Sequence, residues 1–229
     1  QRVYLFRHTR TCVYYTYYKR NNAGAAANRP LVISFNGGPG SASVWMHVAY
    51  TGPKVLRIDD EGYPQQPYGV RDNENSILDV ADIVYVNPVN TGYSRPIVEE
   101  GKEVKKETFF GINADIKYLA GWLNTFVNRH NRWLSPKFLI GESYGTTRVS
   151  GLAHALQNQQ WMYINGVVLV SPTDIGIKRD GPVKSANRLP YFAIIFLSNI
   201  IDTHKFTYII VGLSFYDLSF IRKSTTLYN

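Results

Sequence analysis

Ser143 stands one residue from a glycine on either side, in Gly141-Glu142-Ser143-Tyr144-Gly145, after the apolar run Lys137 to Ile140. A serine in a sharp strand-to-helix turn has its hydroxyl lifted clear of the sheet. The flanking positions must be glycine, because side chains there would collide with the neighbouring strand and helix. A helix beginning near Thr146 places positive dipole and free N–H groups beside that hydroxyl. The chemistry this suits is attack by an activated serine on a carbonyl carbon. A plain βα turn is the competing reading, and the strand–turn–helix context weighs against it.

A second candidate lies upstream, at Asn36-Gly37-Gly38-Pro39-Gly40-Ser41 after the apolar run Leu31 to Phe35. Acyl chemistry needs backbone N–H groups aimed at a developing oxyanion, and a glycine loop one βα unit upstream supplies one. A sharp loop without a ligand is the alternative. A phosphate cradle is the other, but the Gly-Lys-Ser/Thr ending of a P-loop is absent.

These two sites need a scaffold, and the rest of the chain predicts one. Thr11 to Tyr18 is dense in β-branched and aromatic residues and reads as a strand, as do Leu31 to Phe35, Ile83 to Val86, Lys137 to Ile140 and Val167 to Val170. Phe109, Ile112, Ile116, Leu119, Leu123 and Phe126 alternate steps of three and four, which predicts a helix with one apolar face. Val149, Leu152, Ala153 and Leu156 predict a second. Strands alternating with helices make the fold class α/β: a mostly parallel sheet with helices on both faces. The length of 229 residues suits one domain.

Composition narrows the function classes. The chain is 45% hydrophobic and 18% charged, which is ordinary for a globular domain. Its net charge of +8 comes from scattered Lys and Arg, and the densest run, Lys102 to Lys106, contains Glu103. A nucleic-acid surface would need clustered basic residues with stacking aromatics, so no nucleic-acid partner is expected. Cys12 is the single cysteine, which rules out an intrachain disulfide, and no His/Cys cluster has zinc spacing. No metal or organic cofactor is expected. Gln1 to Arg10 lacks the apolar core of a signal peptide.

The glycine loop and the serine pentapeptide together closely resemble the serine carboxypeptidases, peptidase family S10. Trp45, Gly52-Pro53, Asn73-Glu74-Asn75-Ser76, Asp82 to Asn87 and Pro88-Val89-Asn90-Thr91-Gly92-Tyr93-Ser94 extend the resemblance. Asn165-Gly166-Val167-Val168 and Gly181 to Tyr191 resemble the bacterial branch. The resemblance spans roughly Tyr15 to Phe192, and Gln1 to Thr11 match nothing in it. It implies an α/β-hydrolase fold, incomplete at the C-terminus, whose substrate is a peptide with a free C-terminal carboxylate.

By motif, the resemblance makes Ser143 the acylated nucleophile and gives the oxyanion hole to the N–H groups of Gly38 and Tyr144. Asn36, Gly37 and Glu142 would grip the substrate carboxylate. Glu142 can donate to that carboxylate only when protonated, since two bare carboxylates repel, so an acidic optimum is implied. Many secreted eukaryotic relatives carry Cys where Ser41 stands, so a version of the site without a disulfide is expected here. The family also suggests export, to the periplasm or outside the cell.

The triad order in such a fold is Ser, then Asp or Glu, then His. After Ser143 the pattern predicts only one more strand. His154 falls on the following helix, about 16 Å along it from Ser143 at 1.5 Å per residue. His8, His47 and His130 precede the serine and read as surface or structural histidines. His204 lies in Ile194 to Asn229, where the resemblance stops. Ile194 to Phe215 is not a membrane span, because Asp202, His204 and Lys205 interrupt it. Residues 1–192 are thus expected to be the N-terminal part of one hydrolase domain. Residues 193–229 are expected to be an atypical tail foreign to the fold, such as intron read-through or a frameshift. With the triad Asp and His missing, the chain is expected to be nearly inactive. An esterase or acyltransferase on the same scaffold, or a non-catalytic binder of peptide termini, are the alternatives. Side-chain preference and oligomeric state are not legible.

Overall fold

The computed structural model describes residues 11–21, 24, 28–97, 105–172 and, for the backbone alone, 2–8 and 210–213. Gly181 to Tyr191 and His204 lie outside the described residues.

Among the described residues eight strands form the main sheet: β1 (Arg2–His8), β2 (Thr11–Tyr18), β3 (Leu31–Phe35), β6 (Asp82–Val86), β7 (Arg95–Pro96), β8 (Lys137–Glu142), β9 (Gly166–Val170) and β10 (Ile210–Leu213). A separate hairpin pairs β4 (Lys54–Leu56) with β5 (Val70–Asp72). The order across the main sheet is β1-β2-β6-β3-β8-β9-β10, with β7 beside β2. From β6 through β10 every pairing is parallel, whereas β1, β2 and β7 pair antiparallel.

Strands β3 and β6 are buried at all five positions, as expected of parallel strands covered on both faces. On one face, Leu31, Ile33 and Phe35 join Val84, Val86, Leu139 and Leu169 under two long helices, α1 (Ile112–Arg129) and α2 (Tyr144–Gln160). Leu119, Leu123 and Phe126 supply the apolar face of α1; Val149, Leu152 and Leu156 supply that of α2. On the other face, Val32, Ile83, Tyr85, Ile140 and Val170 pack against Met46 and Ile77. These belong to a π-helical turn, Met46–Thr51, and a 3₁₀ turn, Ile77–Asp79.

Two predicted strands, Thr11–Tyr18 and Leu31–Phe35, are found with the bounds expected, and the other three are longer by one or two residues. Helix α1 starts later than the periodicity predicts. Gly111 has φ +99°, and Lys106–Thr108 forms a separate 3₁₀ turn, so Phe109 is buried outside the helix. Strands β1, β4, β5, β7 and β10 lie outside the predicted ones. Val3, Tyr4, Leu5 and Phe6 carry strand composition, whereas β10 is a four-residue run with a glycine inside it, too short for periodicity to show.

At the N-terminal ends of the parallel strands, Asp82 gathers three segments. Arg29 Nε donates to it at 2.8 Å, the Arg20 N–H at 3.2 Å, and the fully buried Arg132 through Nη1. Burial pushes the Asp82 carboxyl up, but the bonds from Arg29 and Arg132 outweigh it and hold it below its ordinary range. The candidate site lies at the opposite, C-terminal ends of β3 and β8.

Candidate active site

Ser143 follows β8 directly and precedes α2, with φ +55° and ψ −123°. That backbone region is costly for any residue with a Cβ. The turn is held by the Ser143 N–H donating to the Val170 carbonyl at 2.9 Å. The Thr146 N–H and hydroxyl both donate to the Ser143 carbonyl, at 2.9 and 2.6 Å. The flanking glycines are dictated by space. A Cβ on Gly141 would lie 2.1 Å from the Gly145 carbonyl oxygen, and one on Gly145 would lie 3.0 Å from that of Phe35.

The glycine loop leaves β3 and lies against this turn. A Cβ on Gly37 would come within 2.7 Å of the Glu142 carbonyl oxygen, Ser143 Cβ and the Tyr144 backbone nitrogen at once. Glycine at 37 therefore lets two segments touch that are over a hundred residues apart. Gly38, exposed at the loop tip with φ +107°, turns the chain, and the Ser41 N–H donates back to the Gly37 carbonyl at 3.2 Å. Tyr144 is the first residue of α2, so its N–H has no partner within the helix.

Asn36, Gly37 and Glu142 meet at one atom. Asn36 Nδ2 donates to Glu142 Oε2 at 3.1 Å, and the Gly37 N–H donates to the same oxygen at 3.2 Å. Asn36 is itself fixed, its Oδ1 accepting the Met46 N–H at 3.0 Å. Ser43 anchors the far side of the loop, with its N–H on Asn87 Oδ1 at 2.9 Å and its hydroxyl on the Val86 carbonyl.

Several motif residues thus have structural work. Besides Asn87, Ser94 takes the Tyr14 N–H at 2.8 Å and donates to the Asn87 carbonyl at 2.6 Å. Asn73 Nδ2 donates to the carbonyls of Tyr50 and Gly52 at 2.8 and 2.7 Å.

The described histidines sit elsewhere. His47 Nε2 shares a hydrogen bond with the Tyr18 hydroxyl at 2.7 Å, and the ring stacks on Tyr85. His130 pairs with the Tyr15 hydroxyl at 3.0 Å, and His154 with Asn158. Burial lowers His47 to about 4; burial and the charges of Lys19, Arg129 and Arg132 do the same to His130. Among the described residues these three histidines have hydrogen-bond partners other than Ser143, and no group of His, Cys, Asp and Glu is arranged to hold a metal ion. No helix among them is long and apolar enough to cross a membrane.

Two residues at this site went unread in the sequence. Asp115 on α1 and Arg148 on α2 are buried and form an ion pair with Nε to Oδ2 at 2.7 Å. Their one signal was a charge close to an otherwise apolar helix face. Burial pushes the Asp115 carboxyl up, against the pull of Arg148 and of hydrogen bonds from Tyr118 and Tyr144.

Known proteins resemble this chain in sequence and in fold. The chain is 30% identical over 150 residues to serine carboxypeptidase-like 36 of Arabidopsis thaliana, a match covering 63% of this chain and 28% of that protein. It is 27% identical over 147 residues to the pheromone-processing carboxypeptidase KEX1 of Saccharomyces cerevisiae, covering 62% of this chain and 19% of that protein. The crystal structure of KEX1(delta)p, a prohormone-processing carboxypeptidase from Saccharomyces cerevisiae, is similar with a TM-score of 0.56. There the identity is 19%, over 71% of this chain and 34% of that one. The matched part of this chain therefore spans about a fifth to a third of these relatives. The fold is that of the α/β-hydrolases. The family model for serine carboxypeptidases matches residues 4–173, starting before Tyr15 and ending before Phe192. With that match spanning most of its length, the chain belongs to the serine carboxypeptidase family.

Proposed function

We propose that residues 1–229 carry the nucleophile and carboxylate-binding half of a serine-type carboxypeptidase site. Ser143 Oγ attacks the carbonyl carbon of the last peptide bond and the amino acid leaves, after which water hydrolyses the Ser143 ester. The N–H groups of Gly38 and Tyr144 stabilise the oxyanion. Asn36, Gly37 and Glu142 hold the terminal carboxylate. The observation that carries this reading is the convergence of the Asn36 amide and the Gly37 N–H on Glu142 Oε2 beside Ser143. A donor pair and a carboxylic acid at one point suit a carboxylate ligand, and an esterase or acyltransferase would have no need of them.

Turnover also requires a general base in reach of Ser143. Each histidine whose side chain is described is engaged elsewhere, so these residues alone are proposed to bind peptide termini without releasing product. Export is part of the same proposal and rests on family resemblance.

The test is titration calorimetry with an N-blocked dipeptide acid and its amide. The acid should bind and the amide should not. Equal affinity for both would remove the carboxylate reading and leave an esterase or acyltransferase. A fluorophosphonate separates the second claim, because stoichiometric labelling of Ser143 would show that a working base is present.

A further inference from the structure

Arg148 lies buried one turn into α2 and touches both segments that build the site. Its Nη1 donates to the Asn36 carbonyl oxygen at 2.9 Å. That oxygen and the Gly37 N–H are opposite ends of one planar peptide. The Gly37 N–H is the group that points at Glu142. Fixing one end of the plane therefore fixes the direction of the other.

The second contact of Arg148 leads to the other half of the site. Its Nε donates to Asp115 Oδ2 at 2.7 Å, and the Tyr118 and Tyr144 hydroxyls lie close enough to the same carboxylate to help pull its pKa down. Tyr144 immediately follows Ser143, and its ring lies beneath the guanidinium, 5.0 Å from centroid to Cζ. Tyr118 in turn accepts the Val89 N–H at 3.0 Å, tying in the loop after β6. The glycine loop and the serine turn thus rest on one buried ion pair.

Stability alone is a weak account of such a pair, since replacing a buried ion pair with apolar residues is often neutral or stabilising. Orientation is the better account, because a forked guanidinium can hold two acceptors at a fixed angle. We infer that Arg148, oriented by Asp115, is a positioning residue for the carboxylate grip, aiming the Asn36–Gly37 peptide at the substrate terminus while its guanidinium packs on the Tyr144 ring. This rests on the proposed reading of the site as a binder of C-terminal carboxylates, and Arg148 itself does not touch the peptide.

The test compares the native chain with Arg148→Gln, Arg148→Lys and Asp115→Asn, each first checked for a cooperative melt. Affinities for an N-blocked dipeptide acid and its amide are then measured by calorimetry. In Arg148→Gln the acid should bind on the order of tenfold to a hundredfold more weakly, the loss expected for a hydrogen bond to a charged group. The amide's weak binding should stay as it is. Arg148→Lys, which keeps the charge and a single donor head, should recover part of the loss. A folded Arg148→Gln protein with undiminished preference for the acid overturns the inference.

Should Arg148→Gln fail to fold, Asp115→Asn carries the test, since it keeps the shape of the site, and an unchanged acid-to-amide ratio there is equally fatal. If the native chain itself shows no preference for the acid, the carboxylate reading has failed. The Gly37 amide resonance, followed by nitrogen–proton correlation NMR, then decides the role of Arg148 separately. A shifted resonance in Arg148→Lys supports the brace, and an unmoved one overturns it.

Discussion

Ser143 holds backbone angles that cost an L-residue about 1–3 kcal/mol. Glycine pays no such cost but loses more entropy on folding, by about 0.4–1 kcal/mol. Ser143→Gly should therefore raise the unfolding free energy in urea by about 1 kcal/mol. Ser143→Ala keeps its Cβ and should leave it nearly unchanged. Equal effects from the two would show that the turn is not strained by the side chain. Glu142 gives a second expectation at this scale. If it donates a proton to the bound carboxylate, Glu142→Gln supplies an N–H donor at every pH, and peptide affinity should lose much of its pH dependence. Affinity-against-pH curves of the same shape for both proteins would remove that role from Glu142.

The contact between the glycine loop and the strand–turn–helix depends on absent side chains. Gly141→Ala puts a Cβ 2.1 Å from the Gly145 carbonyl oxygen, and Gly37→Ala sets one 2.7 Å from three atoms of the serine turn. Overpacking of this kind costs about 1–3 kcal/mol. Both variants should lower the urea midpoint, and Gly37→Ala should also weaken binding of the peptide acid. Neutral behaviour of Gly37→Ala would mean that the two segments do not touch. These elements were legible beforehand because their signals are local: apolar runs ending at glycines, and an apolar period of three to four. The start of α1 was misplaced because Phe109 is buried by tertiary packing while the positive φ of Gly111 breaks the helix between them. Asp115 and Arg148 were not legible because their partnership joins two helices, and no spacing within one helix announces it.

Across the whole molecule, acid should be destabilising in two stages. The unfolded chain protonates His47 and His130 near 6.5, but the folded protein does so only at about 4. Stability owed to the neutral rings is full above about 6.5 and is lost as the pH falls toward about 4. Asp82, held below its ordinary range, then loses its contribution as the pH drops through its folded value. The calorimetric Tm should fall between pH 7 and 4, and His130→Gln should flatten part of that slope; a level profile contradicts the assignment. Arg132→Ala would leave Asp82 without its buried partner, at a cost of about 3–5 kcal/mol, measurable as a lower urea midpoint. The order of strands also has a consequence in time. Asn36 and Glu142 are 106 residues apart, and ribosomes add about 5–20 residues per second. The glycine loop therefore emerges roughly 5–20 s before the acid it must meet. Throughout that interval β3, the strand that ends at the loop, has no β8 to lie against, and the nascent chain shows an apolar edge that a chaperone can hold.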